Sequence, residues 1–351
     1  MITISVPGKI HLLGEHFVVY GAPALLAAVN LRYTVKLTKR QDKIIEIFSK
    51  NLKKKARFSI DALIAKRAQA EADWEQFAKT NDITIIKKIT AKPLDFSAIV
   101  IGETLKYYHK KPLSGFTIQI DSAVPANAGL GSSAATSVAL AAATALFLGQ
   151  KLNKEVINNI AYEAEKKRHG NPSGADNATV TYGGIIRFIR EPKTITPLEI
   201  NIPEKLADNF VLIATGNPRQ STGEMVSLVR KFREENPEFF QVCFQSQSQL
   251  AESLIPVVKN GDGQEFMRII RQGERNLESI GVVSKFSQKI IRDIEKIGGA
   301  AKMCGAGSVT GPTGIILAYH PDKIKVEKIA KSYNLPYFST ALGVEGVKQE
   351  L

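Results

Sequence analysis

Cysteine is nearly absent from this 351-residue chain, which carries only Cys243 and Cys304. Two thiols cannot build a disulfide framework or a thiolate metal site, and their scarcity fits a reducing cytoplasm. Long apolar runs are missing too. The best candidate, residues 134–148, is shorter than a bilayer span and is interrupted by Thr136, Ser137 and Thr144, so it reads as a buried helix and argues against a membrane role. Residues 1–6 read as a strand rather than as a signal peptide. No low-complexity tract or fixed-period repeat stands out. Acidic residues are in deficit, 34 against 47 Lys and Arg, for a formal net charge of +13. That excess is spread over residues 39–67, 106–111, 151–168 and 268–275, as solvated helix faces are. It is not interleaved with stacking aromatics, and no reader motif is present, which excludes nucleic acid as a partner. An anionic ligand is compatible with it. What is present, 44% hydrophobic and 23% charged residues, is a globular composition long enough for two domains.

Periodicity gives an α+β chain. Residues 2–6 and the alternating segment 33–37 read as strands, and the basic, Ala-rich stretch to about Lys79 reads mostly as exposed helix. Helical spacing returns over 96–110. Residues 115–121 alternate as a strand does and lead into a glycine-rich turn, followed by the apolar helix. A second helix over 154–168 is broken at 169–174, another starts at Ala175, and a strand follows at 185–189. Apolar periodicity lapses over 191–206, which sets domains at 1–195 and 196–351. The second domain opens with a strand at 210–214. Its helices are expected near 223–234, 239–258, 264–279 and 284–297, the last capped by Ser284 and stopped by Gly298. A small-residue turn at 302–308 and a strand at 315–319 complete it.

The turn from Val124 to Ala135 has the makings of a phosphate cradle. Its glycines allow close backbone approach to an anion, and the free amides of the helix that follows attract negative charge. It is not a Walker A loop, because Gly131 is followed by Ser132 and Ser133 with no lysine. A cation for the phosphates must come from elsewhere in the chain.

Three glycine-containing segments ask for one explanation. Pro7-Gly8-Lys9 through Gly14-Glu15-His16 to Tyr20-Gly21 resembles the opening motif of the GHMP family of small-molecule kinases. The turn over residues 124–135 resembles that family's ATP loop, and Gly305-Ala306-Gly307 its C-terminal segment. Together they span nearly the whole chain in the family's order. Val18-Val19-Tyr20-Gly21 and the run His169-Gly170-Asn171-Pro172-Ser173-Gly174-Ala175-Asp176-Asn177 are similar to the members that act on mevalonate.

The resemblance implies a first domain like ribosomal protein S5 domain 2, a ferredoxin-like second domain, and ATP with Mg²⁺ in the cleft between them. It implies Asp176 as the base for the substrate hydroxyl and Lys9 as the missing cation. Pro125, Asn127, Gly129, Leu130, Gly131, Ser132 and Ser133 would hold ATP, and Ser133 and Glu165 would supply a hydroxyl and a carboxylate to the metal. His16, Glu15, Thr222, Gly305 and Ala306 would face the alcohol, with Ser221 hard to separate from Thr222.

Each residue also has a plainer reading: a helix cap for Ser133, a solvated face for Glu165 and an exposed turn for Lys9. Ser173-Gly174-Ala175-Asp176 fits a capping box, and Glu15 and His16 fit a loop-holding pair. The implied reaction is phosphorylation of the 5-hydroxyl of mevalonate. Phosphomevalonate, another position of mevalonate, a sugar and a non-catalytic binder are the alternatives, and a homodimer is left open. Residues 308–314 depart from the family's glycines, since Val309 and Pro312 lack that backbone freedom, which puts substrate selectivity in question.

Overall fold

The computed structural model of the chain describes residues 1–125 and 128–350. Its first half runs β1 (Ile2–Leu13), β2 (Ala24–Lys39), β3 (Ile44–Ser49), β4 (Lys54–Ser59), α1 (Ile60–Thr80), α2 (Ile83–Ile89), α3 (Asp95–Tyr107), β5 (Phe116–Ser122), α4 (Ser132–Phe147), α5 (Lys154–His169), α6 (Ala175–Tyr182), β6 (Ile185–Ile189) and β7 (Thr194–Leu198). The second half adds α7 (Glu204–Ala207), β8 (Phe210–Gly216), α8 (Thr222–Glu235), α9 (Pro237–Asn260), α10 (Gly263–Ser279), α11 (Lys285–Lys296), β9 (Ala300–Cys304), β10 (Gly314–Tyr319), α12 (Lys323–Ser332), β11 (Tyr337–Thr340) and β12 (Lys348–Glu350).

Two sheets result. The larger has the order β12-β1-β2-β5-β3-β4, with β6 on β2 and β7 on β6. The smaller has the order β11-β8-β10-β9, all antiparallel. With α12 between β10 and β11 and α8 to α11 between β8 and β9, this is the βαββαβ arrangement of a ferredoxin-like domain.

Several expected boundaries move. Residues 44–59 form the β3–β4 hairpin, not helix, because Ile45 and Ile47 are buried by parallel pairing of β3 with β5. The cut after residue 195 falls inside β7, whose residues pair with β6. The C-terminal segment also leaves the second domain. Leu342 bridges to Val29, and Thr3, Ile4 and Ser5 of β1 pair with Glu350, Gln349 and Lys348. One apolar core runs through both halves, joining Ile10, Leu13 and the alanines of α4 to Leu254, Phe266 and Ile270. No helix among the described residues is long and apolar enough to cross a membrane.

Candidate active site

Strand alternation places Lys9 and His11 of β1 on one face of the large sheet. The Lys9 amide donates to the Leu130 carbonyl at 3.0 Å, which binds the strand to the glycine-rich turn. Gly131 has φ of 71°, and a Cβ there would stand 2.7 Å from Lys9 Cγ, so only glycine lets turn and lysine lie this close. Lys9 is 4% exposed, which removes the exposed-turn reading. Its Nζ lies 3.1 Å from Asp176 Oδ1.

Asp176 sits in the first turn of α6, where the helix dipole favours its negative charge. It is not part of a capping box. Gly174 is the N-cap, with no side-chain cap bond, and Ser173 Oγ instead accepts from the Ala175 amide at 3.2 Å. Asp176 keeps 39% of its side chain exposed, enough to meet a ligand.

At the start of α4 the N-cap is Gly131, and no side chain caps the helix. The first helical amides are therefore free for an anion. Ser133 is not a cap; its hydroxyl donates to Glu165 Oε1 at 2.5 Å. Glu165 is 4% exposed, so the solvated-face reading fails as well. His169 Nε2 stands 3.3 Å from both Ser133 Oγ and Glu165 Oε2.

A cavity of about 1070 Å³ joins these groups. Its wall includes Lys9, Pro125, Gly129, Gly131, Ser132, Ser133, Glu165, Asp176 and Thr222. Leu130 turns its side chain into the core and takes part through its carbonyl. Asn127 lies outside the described residues. Sequence reasoning missed His11, Arg168, Arg190 and Gln220, which also line the cavity. Arg168 was hidden within a general basic excess, and Arg190 and Gln220 had no motif to mark them.

Four residues expected to face the alcohol, Glu15, His16, Gly305 and Ala306, are not on that wall. The Glu15 carboxylate is ion-paired with Lys302 Nζ, and both side chains are buried. A fully buried ammonium needs a counter-charge, and this need turns Glu15 away from the cavity. Burial alone would lower the Lys302 pKa; Cys304, Glu15 and Glu274 outweigh it and hold it above the ordinary value. His16 Nε2 bonds the Ala306 carbonyl at 2.9 Å, tying the first motif to the third. Burial lowers the His16 pKa, so this bond belongs to a neutral ring. Gly305, beside that carbonyl, shapes the turn.

The departing segment after Gly307 is held by side chains. Ser308 Oγ bonds Gln220 Oε1, the Val309 amide donates to the same oxygen at 3.3 Å, and Ser284 Oγ donates to the Gly311 carbonyl at 2.5 Å.

A cradle of free amides, a lysine–aspartate pair and a hydroxyl–carboxylate pair around one cavity are the parts that phosphoryl transfer needs. The model of the GHMP kinases' N-terminal domain matches residues 98–184 and that of their C-terminal domain matches 254–336, so the chain carries both GHMP kinase domains in order. Within that family the similarity is to mevalonate kinases. That of Thermococcus gammatolerans is 29% identical over 91% of this chain and 89% of its own length. The crystal structure of the Methanococcus jannaschii mevalonate kinase superposes with a TM-score of 0.79 at 22% identity, covering 97% of this chain and 98% of that one. The L. major mevalonate kinase in complex with R-mevalonate gives a TM-score of 0.73 at 19% identity, covering 97% of this chain and 96% of that one.

Proposed function

We propose that this chain transfers the γ-phosphoryl group of ATP to the 5-hydroxyl of mevalonate. The observation that carries this reading is the Lys9–Asp176 pair, 3.1 Å apart on the wall of a cavity bordered by the glycine-rich turn. The relatives named mevalonate kinase support the choice of alcohol.

Phosphoryl transfer depends on positioning and charge stabilisation more than on covalent chemistry. Asp176 accepts the hydroxyl proton while the hydroxyl oxygen bonds to the γ-phosphorus. The bond from that phosphorus to the bridging oxygen breaks, and its electrons leave on ADP. Lys9, 3.1 Å from Asp176, orients its carboxylate and stabilises the charge that develops on the attacking oxygen. The α4 amides bind phosphate oxygens. Arg168 and Arg190 give the wall positive charge, which suits both triphosphate and the mevalonate carboxylate. Thr222 offers its hydroxyl to the alcohol.

Mg²⁺ is the cofactor we assign. Ser133 and Glu165 fit it as hard oxygen donors side by side, and magnesium takes few protein ligands when phosphates and water complete its shell. When bound, it would neutralise phosphate charge.

The test is to incubate the protein with ATP and Mg²⁺ and with mevalonate, phosphomevalonate, galactose or homoserine, and to identify products by NMR. Mevalonate 5-phosphate is the expected product. Turnover confined to another alcohol would leave a kinase with a different acceptor, and no turnover at all would leave a binding protein.

A further inference from the structure

Lys9 has a second neighbour to which the proposed chemistry gives no task. His11 lies two residues further along β1, on the same face, and lines the same cavity. Its Nδ1 stands 3.4 Å from Lys9 Nζ, at the long end for a hydrogen bond. An ammonium carries three hydrogens in fixed tetrahedral directions. When Asp176 takes one and His11 a second, the third has a single direction left. Without His11 the ammonium can swing about its contact with Asp176.

The backbone that carries the imidazole is itself tied to the second domain. The His11 carbonyl accepts from Lys302 Nζ and from Cys304 Sγ, each at 3.5 Å, so β9 of the second domain anchors the residue that touches Lys9. Burial, then the charges of Lys9 and Lys302 and the nearby His16, keep the ring neutral by lowering its pKa well below the ordinary value. A neutral ring can present a lone pair at Nδ1, provided its proton is on Nε2.

We infer that His11 is a positioning residue for the transfer, accepting a hydrogen bond from Lys9 at Nδ1 and thereby aiming the ammonium at the attacking hydroxyl. This rests on the role given to Lys9 above, so the test has an arm that needs no turnover. A long-range ¹H–¹⁵N spectrum of the histidine rings should show His11 with its proton on Nε2 and an Nδ1 resonance that moves in Lys9→Met. A proton on Nδ1, or no response to Lys9→Met, overturns the inference even if the enzyme phosphorylates mevalonate.

The kinetic arm uses whichever alcohol the wild-type protein turns over. His11→Leu should lower kcat about tenfold while KM for ATP stays within about twofold. In a Lys9→Met background it should add less than about twofold, because a residue acting through Lys9 has nothing left to position. His11→Gln restores an acceptor and should recover part of the loss, and it serves as the kinetic variant if His11→Leu fails to fold. Unchanged kcat in both single variants, or a full second loss in the Lys9→Met background, contradicts the inference.

Discussion

Ser221 and Thr222 are neighbours at the start of α8, yet their hydroxyls have different surroundings. Ser221 is the N-cap of a formed capping box: its Oγ accepts from the Glu224 amide at 3.3 Å, and its own amide donates to Glu224 Oε2 at 2.7 Å. Both residues line the cavity, but among the described residues no hydrogen bond engages the Thr222 hydroxyl, which is left for a ligand. Replacing Ser221 with Ala should therefore cost about 1 kcal/mol of stability and leave KM for the alcohol nearly unchanged. Thr222→Val should do the opposite, raising that KM roughly fivefold for the loss of one hydrogen bond at unchanged melting temperature. Melting curves and steady-state kinetics on both variants separate the two roles. Spacing alone could not, because a hydroxyl at a helix start serves capping and binding equally well. The same ambiguity covered Asp176, where the Ser173 pattern suggested a box that Gly174 and Lys9 replace.

At the scale of elements, α1 bears on the site without touching it. Trp74, the single tryptophan, donates its indole N–H to the Gly170 carbonyl at 2.8 Å. Phe77 closes over Gly170 so tightly that a Cβ there would lie 2.6 Å from its ring. Gly170 ends α5, which carries Glu165 and His169, and begins the loop to Asp176. Trp74→Phe keeps the packing and removes the donor, so it should slow turnover about three- to tenfold with little change in melting temperature; unaltered turnover would show that the loop holds its place without it. Helix α1 was legible in the sequence, but its partner was not, since nothing local links Trp74 to a residue 96 positions away. The hairpin before it was misread for a related reason. Ile44, Ile45, Ile47 and Phe48 suit helical spacing as well as a strand, and pairing with the distant β5 decides the matter.

Across the whole molecule, the two halves meet at a polar cluster of buried Glu15, His16 and Lys302, with the half-buried His11 beside it on the cavity wall. Both histidines have pKa values below the ordinary 6.5, chiefly through burial. As pH falls through 6.5 the unfolded chain takes up protons that the folded protein refuses, so stability declines toward acid until the folded pKa values are reached. Calorimetry from about pH 8 to about pH 5.5 should show the melting temperature falling below about pH 6.5, less steeply in His11→Gln. A flat profile would mean that the folded protein takes up protons at these rings as readily as the unfolded chain. The motifs that identify the site were readable because glycine and charged residues are constrained one by one. The cluster that joins the halves was not, because Glu15 finds Lys302 only after both sheets have formed. Nor was β12, three polar residues whose strand geometry comes from pairing with β1.

All of these scales converge on the Lys9–Asp176 pair, and Asp176→Asn examines it most directly. Asparagine keeps the size of the side chain and removes the base. The variant should bind ATP with wild-type affinity by calorimetry and lose roughly 100- to 10,000-fold in kcat on mevalonate. Turnover near the wild-type rate would contradict the account and leave Asp176 as only a first-turn residue of α6.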